Sequence, residues 1–164
     1  MAGTSIYLVD TVDLSKIELQ FVPTEMSFMS DSKIEAVVSP GRNNPFYHFS
    51  GSEDSLKFQI DWHAMEQSRE DVIRKCRWLK SLTKADGYKG GQRKIQLIWG
   101  SMIKGDSLWI VKSANFQVSL FDKVNGIFPR QAYQDIILMK VTSYNRSIDD
   151  VRNGLDTQTS KTGL

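Results

Sequence analysis

From Ser55 to Trp62 the chain alternates without a break. Leu56, Phe58, Ile60 and Trp62 are apolar, and Ser55, Lys57, Gln59 and Asp61 are polar. A period of two places each set on its own face of an extended chain, so the segment reads as a half-buried antiparallel strand. It commits the chain to a sheet with one packed face and one wet face. The same pattern recurs in Ile17, Leu19 and Phe21 against Glu18 and Gln20, giving a first strand over Ile17–Val22. Pro23 ends it, because proline has no amide to give to a ladder.

Further strands are expected at Glu35–Ser39, Lys94–Trp99, Ser107–Val111, Phe116–Leu120 and Ala132–Val141, the last apolar on both faces from Ile136 to Met139. Lys104-Gly105-Asp106 and Asn125-Gly126 read as turns between them. Residues 24–46 read as a long connection whose Gly41-Arg42-Asn43-Asn44-Pro45 is loop chemistry. Its Met26, Phe28 and Met29 either tuck under the sheet or contact another subunit. One helix is expected, from Ser68 to Lys84. Val72, Cys76, Leu79 and Leu82 form its apolar stripe, and Arg69, Arg74, Lys75, Arg77 and Lys80 its basic face. Ile6, Leu8 and Val12 suggest a short N-terminal strand or an arm docked on a neighbour. Residues 145–164 are polar and aperiodic, a tail that orders only on a partner if at all.

A chain of 164 residues fits one domain and buries a core without staples. Its 40% hydrophobic and 24% charged residues are ordinary for a globular protein. A net charge of +2 does not call for a nucleic-acid partner. The single cysteine, Cys76, leaves no intramolecular disulfide, which fits assembly in a reducing cytoplasm. The first ten residues lack a basic segment followed by an apolar run, and no stretch nears the ~18 apolar residues of a membrane span. A soluble, non-secreted protein with no membrane partner is expected.

Chemistry is sparse. His48 and His63 are the only histidines, and Asp61 with His63 on one strand face makes too few ligands for zinc. Cys76 lies mid-helix in an apolar stripe, where a thiol is structural rather than nucleophilic. The carboxylate pairs Glu53-Asp54, Glu70-Asp71 and Asp149-Asp150 fall in loops, at a helix start or in the tail. Lys89-Gly90-Gly91-Gln92-Arg93 precedes a strand, which excludes a P-loop. The basic helix face reads as solvated rather than as a phosphate track, because aromatic residues do not interleave with it. Trp62, Trp99 and Trp109 read as core or interface. We expect no catalytic residue, no metal and no cofactor.

Several short phrases occur in a fixed order: Phe21-Val22-Pro23-Thr24-Glu25, Phe49-Ser50-Gly51 before the alternating strand, Trp99-Gly100 after the helix, and Leu120-Phe121 through Gly126 to Pro129-Arg130. Over roughly residues 16–143 this order resembles the tube-like N-terminal domain of contractile injection system tube-initiator proteins, found in phage baseplates and related injection particles. The resemblance implies two packed antiparallel sheets forming a tail-tube-like β-barrel over residues 1–144, with an N-terminal arm and one flanking helix. Residues 145–164 would be the tail, in place of the LysM module that many relatives carry.

The implied role is structural, in a virion tail baseplate assembled in the host cytoplasm. Six copies would form a ring joining the trimeric hub or spike to the tail tube and templating tube assembly. The implied partners are further copies, the hub or spike, the tube protein or a second adaptor ring, and wedge or sheath-initiator proteins. No sequence-specific nucleic acid is implied. The interface candidates are Met26, Phe28, Met29, Arg42, Asn44, Phe46, Tyr47, Phe121 and Arg130. The alternative is a small β-barrel module that binds a ligand in its interior.

Overall fold

The computed structural model describes residues 5–64, 69–86, 91–123 and 126–141. Seven strands make one antiparallel sheet: β1 (Ile6–Asp10), β2 (Lys16–Glu18), β3 (Met26–Val37), β4 (Phe46–His63), β7 (Lys94–Trp99), β8 (Ile103–Asp122) and β9 (Phe128–Val141). Their order is β2-β1-β7-β8-β9-β4-β3. Two short strands, β5 (Ala85–Asp86) and β6 (Gly91–Gln92), form a separate ribbon, and the helix α1 spans Arg69–Ser81. The fold is mainly β with one helix, as the alternation predicts.

The register explains the core. Leu56, Phe58 and Trp62 of β4 face Leu138, Ile136 and Ala132 of β9, and all six are buried. Ile60 faces Gln134, which is also buried. Gln134 is satisfied twice: its Oε1 accepts the Trp62 indole N–H at 3.1 Å, and its amide nitrogen donates to the Cys76 carbonyl at 3.1 Å. One amide thus ties β4, β9 and α1 together, which is how a polar group is carried inside a core. Val72, Cys76, Leu79 and Leu82 of the predicted helical stripe are buried against the same cluster.

The sheet is curled. Phe58 of β4 meets Trp99 of β7 edge to face, with ring centroids 5.4 Å apart. β8 and β9 lie between them in the ladder order, and three strand spacings in a flat sheet would be about 14 Å. Its two ends also approach: the Gln20 side-chain amide donates to the His63 carbonyl at 2.9 Å and accepts the His63 N–H at 2.7 Å. Even so, β2 and β3 share no ladder, so the sheet is open. The two packed sheets expected from sequence are here one sheet whose concave face closes on itself and on α1.

Several boundaries differ from expectation for physical reasons. The strand expected at Glu35–Ser39 is the end of a longer one, Met26–Val37, most of which was read as connection, because β3 pairs along its whole length with β4. The first alternating strand shortens to Lys16–Glu18, and its last residues instead carry the Gln20 contact. The two strands expected at Ser107–Val111 and Phe116–Leu120 are one, interrupted by a bulge between Val111 and Ser113. The turn into β8 lies at Gly100–Met102, where the Met102 N–H donates to the Trp99 carbonyl at 3.1 Å. Gly105, expected in that turn, sits inside β8 with φ of 82°. The last strand starts at Phe128, four residues before the expected Ala132.

The helix ends at Ser81, and the N–H groups of Leu82, Thr83 and Lys84 close the exit with bonds three residues back. Ser68, where the helix was expected to begin, lies outside the described residues. The N-terminal strand is no free arm, because β1 lies between β2 and β7. The tail at 145–164 also lies outside the described residues.

Candidate assembly surface

Among the described residues β4 pairs with β9 from Ser55 to His63, whereas its pairing with β3 continues to Phe46. Beyond Ser55 the β3–β4 hairpin therefore leaves the sheet as a two-stranded arm. Eight residue steps from Asp54 to Phe46 give it a length of about 26 Å. Lys33 and Glu53 are paired across the arm at 3.0 Å, and the Ser30 hydroxyl donates to Asp54 at 2.6 Å. A bulge between Lys33 and Ile34 bends it, and Gly51 meets the bulge with φ of 138°.

The arm is apolar where nothing covers it. Met26 and Phe28 lie opposite Phe58 and Leu56, on the concave face. The same alternation carries that face outward through Ile34 opposite Phe49 and Ala36 opposite Tyr47. Phe28, Ile34, Phe49 and Tyr47 are 60–74% exposed. The other face presents Val37 opposite Phe46, and Glu35 opposite His48. Arg42 lies over the Phe46 ring, 4.1 Å from its centroid.

The interface candidates divide accordingly. Arg42, Asn44, Phe46 and Tyr47 come together at the tip of the arm and are exposed, whereas Phe28 and Met29, also exposed, lie at its root opposite Leu56 and Ser55. Met26 is half-buried and packs on the core at the arm's root. Phe121 and Arg130 lie at the far end of the sheet, where Arg130 holds Asp122 through Nε at 3.1 Å and Nη2 at 2.7 Å. Ile34, Val37, Val38 and Phe49, not among the sequence candidates, are exposed beside those on the arm. Their signal was the alternation of Ile34, Ala36 and Val38, which predicts a strand but not that its apolar side is uncovered.

That far end forms a second surface. Leu120 leaves the β8 alternation with φ of 55°, and Phe121 pairs next with Pro129. Phe121 and Ile127 are 57% and 72% exposed. With Ile73 of α1, Phe128 and Pro129 they line a groove of about 560 Å³, rimmed by Asp71, Arg74 and Arg77.

The chemical candidates sit apart. His48 is on the arm, while His63 stands beside Gln20 with the Phe21 ring edge-on at 5.1 Å. Among the described residues no three His, Cys, Asp or Glu side chains gather as metal ligands. Cys76 is fully buried, and burial pushes its thiol up to about 11, so it stays protonated at neutral pH. The basic face of α1 is partly spent on its own surroundings. Arg74 and Lys75 both bind Asp71, Lys75 lies over Trp62, and Lys80 over Phe116. Burial raises the Asp71 carboxyl, but hydrogen bonds from Lys75 and Arg74 outweigh it and hold the group below its ordinary value.

No family model and no curated protein matches the chain. A similar solved structure is the cryo-EM structure of the anti-feeding prophage (AFP) baseplate, 6-fold symmetrised. Its sequence identity is 9% and its TM-score 0.41, over 84% of this chain and 88% of that one. The description is that protein's own.

Proposed function

We propose that the protein is a structural baseplate subunit of a contractile injection system, acting as a ring rather than as a monomer. Six copies would join a trimeric hub or spike to the tail tube and template the tube's first layer. The observation that carries this reading is the β3–β4 arm, a long hairpin with uncovered apolar residues on both faces. Soluble monomers rarely keep such a contiguous patch exposed. β3 is also an edge strand of twelve residues, and β2 is the opposite edge. Edges of this kind call for a partner strand. Copies joined edge to edge would turn the open sheet into a continuous wall around a lumen, completing the barrel-like tube between subunits. The ordered phrases from Phe21 to Arg130 support the same family.

The alternative, a ligand held in the interior, needs an open concave face. That face is filled by Trp62, Leu56, Ile60, Leu97 and Ile136. Electron microscopy of the purified chain, alone and with its hub protein, tests the proposal. Sixfold rings with a central lumen are expected. A chain that stays monomeric in the presence of the hub would overturn it.

A further inference from the structure

The arm leaves open what it grips. The geometry points to the groove between α1 and the β8–β9 end of a second copy as the receptor for the tip of this arm, a step that rests on the ring proposal.

Position comes first. The arm departs where Ser55 of β4 pairs with Met139, while the groove lies at Phe128 and Pro129, the start of β9. Ten residues of strand, about 33 Å, separate the two, and the arm points away from the groove. A chain therefore cannot fill its own groove with its own arm. A contact between the two surfaces is head to tail, the kind that closes into a ring when the rotation fits.

Shape and chemistry follow. A groove of about 560 Å³ takes a few large side chains, not a whole hairpin. Val37 and Phe46 are a cross-strand pair on one face of the tip, 53% and 51% exposed. The groove offers them Ile73, Phe121, Ile127 and Phe128. Gly126, with φ of 121°, leaves room for the Phe128 ring, which a β-carbon there would meet at 2.8 Å. Leu120 holds a left-handed conformation that is strained for a leucine, as suits a surface built for contact.

Charge completes the match. Glu35, on the same face as Val37 and Phe46, and Arg77, on the groove rim, have no ion-pair partner among the described residues. Docking pairs Glu35 with Arg77, opposite charges across the contact.

The test uses two differently tagged full chains, one carrying Val37→Cys and the other Ile127→Cys. Both positions are exposed, and the buried native thiol does not compete. Oxidation of the mixture is expected to give a disulfide dimer containing both tags. Glu35→Arg in the first chain, or Arg77→Glu in the second, should cut its yield at least tenfold. The two together should restore it, which a merely structural defect would not allow. Rings that form without the mixed dimer overturn this inference and leave the ring proposal standing. A mixed dimer without rings supports the inference and overturns the sixfold ring. Neither product overturns both.

Discussion

At the scale of single residues, Gln134 is the side chain whose chemistry the core depends on most. It is fully buried and bonded to both the Trp62 indole and the Cys76 carbonyl. Gln134→Leu keeps the volume and removes both partners at once. The indole N–H is then buried without a mate, which costs about 1–3 kcal/mol, while the Cys76 carbonyl keeps its bond within the helix and loses only the second one. Urea denaturation should show a lower midpoint with an unchanged slope. A variant as stable as the parent would mean that the indole finds another partner. Cys76 contributes to the same core by volume alone, since its thiol stays protonated well above neutral pH.

At the scale of elements, the two ends of the curled sheet are joined by a side chain rather than by a ladder. Gln20 makes with His63 the pair of bonds that a strand residue would make with its main chain. Gln20→Ala is expected to speed hydrogen exchange at the His63 amide several-fold while lowering global stability by only about 1–2 kcal/mol, since the site is exposed. Unchanged exchange at His63 would show that the seam is held elsewhere. The sequence declares the β4 core half, β7 and α1 because burial imposes a period on their residues. It conceals the arm, because Ser30-Asp31-Ser32-Lys33 has no apolar period and becomes strand only through its pairing. It also conceals the unity of β8, where the bulge at Lys112 shifts the apolar phase between Val111 and Ala114, so one strand reads as two. The candidate interface residues were visible as apolar side chains in a loop-like segment. Whether they were covered depended on β9, whose pairing with β4 among the described residues ends at Ser55.

At the scale of the molecule, the buried core lies in the body of the sheet and not in the arm. The buried cluster draws on β1, β2, β4, β7, β8, β9 and α1, and nothing beyond Asp54 on the arm belongs to it. Folding stability should therefore survive loss of the arm. Ser30 and Asp54 face each other in register, so residues 31–53 are replaceable by an Asn-Gly turn of the kind that closes two-residue hairpins. The shortened chain is expected to unfold within about 4 °C of the parent, the shift that ~1 kcal/mol produces in a domain of this size. Light scattering under conditions where the parent forms rings should find the shortened chain monomeric. Rings assembled by the armless chain would place the assembly energy on the sheet edges β2 and β3 alone. A collapse of the unfolding temperature would instead show that the arm's inner face, at Ile34, Ala36, Tyr47 and Phe49, supports the fold that it leaves uncovered.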